Sequence, residues 1–102
     1  MNKNVFAIFL HIGSALDRLG NYTQAISYLD KALTLDPNDK FALEEKGVNL
    51  DNLGNYTQAI SYLDKALTID PNYKFALAEE ASVCAHAGPS LPASLCVGIT
   101  SK

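Results

Sequence analysis

No cluster of lysine or arginine occurs in this chain of 102 residues. Eight basic residues stand against eleven acidic ones, for a net charge of −3. Nucleic-acid binding needs a basic patch or stripe, so that class of partner is excluded. The same absence argues against docking on an anionic membrane. Cysteine is scarce too, with only Cys84 and Cys96, both near the C-terminus. They form no CxxC and have no matching histidine pair. The expectation is two free thiols of an intracellular, cytoplasmic protein, with a disulfide closing the C-terminal end as the alternative. Long apolar runs are also missing. The stretch Val5-Phe6-Ala7-Ile8-Phe9-Leu10 meets His11, and Asp17-Arg18 follow soon after. A signal peptide wants a longer apolar region and a small-x-small cleavage site. A bilayer span wants roughly 20 residues. No membrane role is expected.

Catalytic and ligand-holding patterns are equally thin. His11 and His86 lie far apart in the chain without nearby metal-ligand partners. Cys84 and His86 are two residues apart, a spacing that puts them on different sides of a helix. Serine, histidine and aspartate are present, but no spacing suggests a triad. The glycines at 13, 20, 47, 54, 88 and 98 make no phosphate-binding loop. Asn21-Tyr22-Thr23 and Asn55-Tyr56-Thr57 match the glycosylation sequon, yet a capping asparagine with a first-turn threonine explains both. No metal, cofactor or enzymatic activity is expected.

What the chain does contain is a duplication. Residues 16–45 recur as 50–79, an offset of 34. Of these thirty paired positions only four differ: Arg18/Asn52, Leu35/Ile69, Asp39/Tyr73 and Glu44/Ala78. A period of this length marks a stacked repeat. Hydrophobic content of 48% is enough for a buried core.

Each copy reads as two helices. The first spans 5–19, with Asn4 available as its cap and Gly20 as its stop. Phe6, Phe9, Gly13 and Leu16 fall on one side, while Ala7, Ile8 and Leu10 make the other side apolar as well. Such a helix expects cover on more than one side. Asn21 with Gln24 offers a capping box for the second helix. Its stripe of Tyr22, Ala25, Ile26, Leu29, Ala32 and Leu33 opposes a polar face. Asp36-Pro37 ends it, because a residue before proline is pushed out of the helical region. The pattern then repeats: Asn38 or Asp39 caps a helix over about 40–53, Gly54 stops it, and Asn55 opens another that ends at Asp70-Pro71. A third copy of the first helix covers 74–87. The tail after Gly88-Pro89 has no helical period. Gly13 beside Ala25, and Gly47 beside Ala59, would let paired helices approach closely.

These residues resemble the tetratricopeptide repeat, a 34-residue helix–turn–helix unit. The likeness rests on Gly13 and Gly47, on Leu-Gly-Asn-Tyr at 19–22 and 53–56, on Ala25 and Ala59, on Ala32-Leu33 and Ala66-Leu67, and on Asp-Pro-Asn at 36–38 and 70–72. It implies an all-α, right-handed α-solenoid. The parts would be a lead at 1–5, repeats at 6–39 and 40–73, a terminal helix at 74–87 and an irregular tail at 88–102. Three departures stand out. The early aromatic of the first helix is present as Phe9, then replaced by Leu43 and Leu77. Lys46 takes a position where leucine is common, so its stem should cover the site with the amine in solvent. The terminal helix would expose Leu77, Ala81 and Cys84, where a closing helix should be polar outside.

The resemblance also implies a protein-binding scaffold whose stacked first helices line a concave groove. That face maps onto Ala7, Leu10, Ser14, Asp17 and Arg18, then Phe41, Glu44, Val48, Asp51 and Asn52, then Phe75, Ala78, Ser82 and His86. The expected partner is a peptide or helix with apolar side chains and a lysine or arginine. The relatives that clamp a C-terminal carboxylate are a poor match, because Leu10, Ser14, Glu45, Phe75 and Glu79 occupy the clamp positions. Two and a half repeats fall short of the three that usually stabilise such arrays. Unsealed ends at Ala7 and Ile8, and at Leu77, Ala81 and Cys84, leave three outcomes: Leu91, Leu95, Val97 and Ile99 fold back over the last helix, two chains form a homodimer by end stacking or swapping, or the chain is a structural piece of a longer array whose apolar ends drive self-association.

Overall fold

The computed structural model describes residues 3–92 and 95–96. Helix α1 (Lys3–Arg18), α2 (Tyr22–Leu35), α3 (Lys40–Asn52), α4 (Tyr56–Ile69) and α5 (Lys74–Ala87) follow one another, and a 3-10 turn, Gly88–Ser90, closes the series. The described residues contain no strand. Packing is sequential: α1 on α2, α2 on α3, α3 on α4 and α4 on α5. Helix α3 also touches both α1 and α5, so the first helices form a continuous layer. The result is a helical solenoid, measuring 40 × 26 × 17 Å.

The turns form for local reasons. Gly20 and Gly54 each adopt φ 82°, a left-handed conformation that only glycine takes cheaply. The amide of Gly20 donates to the carbonyl of Asp17, and that of Asn21 to Leu16. Gly54 to Asp51 and Asn55 to Leu50 repeat the arrangement. This paired bonding is the Schellman closure of a helix. Asn21 and Asn55 are therefore N-cap residues, but the expected capping box does not form: neither side chain bonds a helix amide. Each asparagine is also the last residue of the preceding closure. That bond holds ψ at 68°, short of the extended value from which a cap side chain reaches the first turn. Helix α1 begins at Lys3, so Asn4 lies inside its first turn and is not its cap. Asp36 and Asp70 leave their helices in extended conformation ahead of proline, and their carboxylates accept from the amides of Asn38 and Asn72.

Close helix approach depends on Gly13 and Gly47. A Cβ at Gly13 would stand 2.9 Å from Leu29 Cγ, and one at Gly47 would stand 2.7 Å from Leu63 Cγ. The core runs through Leu43, Leu50, Ile60, Leu63, Leu67, Tyr73 and Val83. Lys46 is wired into this packing, and its amine does not reach free solvent as expected. Its Nζ pairs with Asp30 at 2.6 Å, donates to Tyr62 Oη at 3.0 Å and lies over the Tyr62 ring. Burial alone would lower its pKa, but the bonds to Asp30 and Tyr62 outweigh that and raise it.

At the C-terminal end the expectation of two free thiols is overturned: Cys84 and Cys96 form a disulfide. The bridge ties the tail back onto α5. Leu91 is buried in the core, and Leu95 and Cys96 pack against it. Leu77 and Cys84 are consequently half-buried, while Ala81 remains exposed. Val97 and Ile99 lie outside the described residues. The N-terminal end has no such cover among the described residues, and Ile8 is 54% exposed.

Candidate functional site

Helices α1, α3 and α5 present one shared face, and the groove residues expected there fall into three groups. Leu10, Ser14, Asp17, Val48, Glu44 and Ser82 are half-buried. Arg18, Phe41, Asn52, Phe75 and Ala78 are exposed. Asp51 alone is buried, at 5% exposure. The face is open. Two hollows lie away from it: one of about 290 Å³ beside Asp30, Lys46 and Tyr62, and one of about 350 Å³ between the Gly54–Asn55 turn and Leu91.

An aromatic row stands along this face. The Phe41 and Tyr73 rings meet edge to face at 5.7 Å, and Tyr73 meets Phe75 at 5.9 Å. Tyr73 is 6% exposed, whereas Phe41 is 51% and Phe75 70% exposed. The buried ring thus props two exposed ones. Tyr73 Oη donates to Glu44 Oε1 at 3.4 Å, the long end of hydrogen bonding. On the outer side Lys40 Nζ lies 5.5 Å from the Phe41 centroid and 4.9 Å from that of Tyr73, held there by Asp70.

Carboxyl groups from three helices gather beside this row. Ser14 Oγ donates to Glu45 Oε2 at 2.7 Å, joining α1 to α3. His86 Nδ1 lies 3.0 Å from Asp51 Oδ2, joining α5 to α3. The carboxylate accepts, so the ring proton belongs on Nδ1. Burial raises the pKa of Glu44 to about 7, with neighbouring Glu45 adding to the effect. Burial also raises Glu79, to about 8, helped by its hydrogen bond with Asp51. Glu45 and Asp17 are raised as well, mainly by burial. Asp17 acts electrostatically on Glu44, Glu45 and Glu79. Burying carboxyls together makes each hold its proton longer, and Arg18 beside Asp17 and Glu45 offsets only part of that.

A family model described as tetratricopeptide repeat matches residues 10–74. The chain belongs to the tetratricopeptide repeat family. Repeats of this family generally mediate protein–protein interaction. Among solved structures, MamA 41-end from Desulfovibrio magneticus RS-1 is similar at a TM-score of 0.75 and 28% identity, over 79% of this chain and 46% of that one. A MamA RS-1 ArsTM double mutant gives 0.74, with the same identity and coverage. The chain therefore spans less than half the length of these structures. A search of the curated proteins finds no match.

Within this tetratricopeptide repeat face, sequence reasoning missed several partnerships. His86 has no metal-ligand partner nearby in sequence, yet the fold sets it beside Asp51. The offsets carry a signal that could have found them. Ser14–Glu45, Tyr73–Glu44 and His86–Asp51 are separated by 31, 29 and 35 residues, close to one repeat. Writing the sequence in rows of 34 places such pairs on adjoining lines. Among the described residues no helix is long and apolar enough to cross a membrane.

Proposed function

We propose that this chain is a non-catalytic interaction module that holds an extended peptide or partner helix against the face shared by α1, α3 and α5. One observation carries the reading: Phe41 and Phe75 stand exposed on that face, beside carboxyls from three helices. Exposed aromatics offer large contact area at low ordering cost, and the acidic surround selects against acidic partners. Exposed residues spread over three helices suit a polypeptide better than an enclosed small molecule. The test is selection from a random displayed peptide library against the full chain. Recovered peptides should be apolar with lysine or arginine, and Phe41→Lys or Phe75→Glu should abolish capture. Recovery of nothing, or retention by both variants, sinks the reading.

A second reading is self-association through the apolar edge of α1, favoured by the exposure of Ile8 and Ile12. It predicts a dimer in sedimentation that Ile8→Asp disperses. Leu77→Asp belongs to the same test at the other end, where the tail already gives cover. A cytoplasmic setting, expected from cysteine usage, is hard to reconcile with the Cys84–Cys96 bridge, since such bonds persist in oxidising compartments.

A further inference from the structure

We propose that Glu44 and Tyr73, with the rings of Phe41 and Phe75, form the subsite for a cationic side chain, lysine or arginine, of a bound polypeptide. This rests on the groove reading above and specifies which part of the groove recognises charge.

The first argument is where the two copies diverge. Only four of thirty paired positions differ between them. Two of those four, Tyr73 and Glu44, touch each other on the shared face. Their counterparts, Asp39 and Ala78, make no such pair: Asp39 caps α3 and Ala78 is exposed on α5. The divergence therefore creates one place on the face that the rest of the repeat does not reproduce.

The second argument is charge. Around Glu44 lie Glu45 and Asp17, and Glu79 is within electrostatic reach. The nearby cations are engaged or peripheral. Lys40 is turned to Asp70, while Arg18, exposed at the end of α1, acts on Asp17 and Glu45. An incoming ammonium or guanidinium would meet carboxyls without displacing an existing ion pair.

The third argument is that these rings already accept a cation. Lys40 Nζ sits over both Phe41 and Tyr73. Lys40 is paired with Asp70, and Phe75, which is 70% exposed, carries no cation over its ring among the described residues, so its surface stays available to a ligand. A cation between an aromatic face and a carboxylate gains from both.

The test, run at about pH 8 where Glu44 is ionised, uses the full chain and a short fluorescein-labelled peptide with leucines flanking one central residue: lysine, arginine, glutamine or glutamate. Lysine and arginine peptides should bind about tenfold more tightly than the glutamine peptide, and the glutamate peptide should bind most weakly. Glu44→Ala should erase that preference, so that the lysine, arginine and glutamine peptides bind the variant alike. Since alanine is what the second copy carries at this place, the variant should fold, and its melt is the control. Equal binding of lysine and glutamine peptides, or a preference that survives Glu44→Ala, overturns the subsite and leaves the groove reading standing. Failure of all four peptides to bind overturns both.

Discussion

The two copies begin their following helices in different ways. Before α3, Asp39 turns its carboxylate back to accept the amide of Ala42 at 2.9 Å. Before α5, Tyr73 occupies the same place, makes no side-chain cap, and lays its ring between Phe41 and Phe75. One position thus closes a helix in the first copy and builds surface in the second. The neighbouring difference follows suit: Glu44 meets Tyr73 across the layer, while Ala78 projects nothing. Near-identity of sequence preserves the scaffold, and a few exchanges at the layer of first helices decide what that scaffold presents.

The interior should show the largest contrast. Leu29 and Leu63 are equivalent residues and both fully buried. Only Leu63 belongs to the central cluster; Leu29 lies one helix from the uncovered N-terminal end. Leu63→Ala should lower unfolding free energy by about 4 kcal/mol and Leu29→Ala by about 3 kcal/mol, because the end of an array collapses around a void more easily. Urea titrations of both variants measure this, and a larger loss at Leu29 would break the distinction between middle and end.

A smaller effect tests the caps. Asp39→Ala should cost about 1 kcal/mol, the usual value of an N-cap carboxylate. Asn21→Ala and Asn55→Ala should each cost less than Asp39→Ala, because neither asparagine side chain bonds an amide. Equal losses at all three would contradict the cap geometry.

The smallest effect is a slope with pH. Glu44 titrates near its ordinary 4.5 when unfolded and at about 7 when folded. Between those values the folded chain keeps a proton that the unfolded chain has lost, so stability falls as pH rises. Glu79 extends the window to about pH 8. The melting midpoint should therefore drop from pH 5 to pH 8, and Glu44→Ala, the second copy's residue, should flatten the decline. Asp70, held below its ordinary range by its bond to Lys40, acts only at lower pH. A midpoint that climbs across this window would refute the carboxyl environment described for the shared face.

The helices were legible because their signals are local. Gly20 and Gly54 stop chains where only glycine takes the left-handed turn, and Asp36-Pro37 and Asp70-Pro71 stop them by steric exclusion. Local reasoning went astray where a residue serves two neighbours. Asn21 and Asn55 look like caps but are held by the previous helix's closure. Lys46 looks like a surface lysine but finds Asp30 and Tyr62, each 16 residues away in sequence.

The sequence by itself determined the 34-residue period, the five helices, the family and the layer of first helices, because amphipathic spacing and turn chemistry act over a few residues. Tertiary structure alone decided that Tyr73 reaches Glu44, that His86 reaches Asp51, and that Cys84 joins Cys96 over the last helix. Those contacts depend on how stacked helices rotate and how deeply each side chain is buried, quantities that emerge only when the whole array is packed.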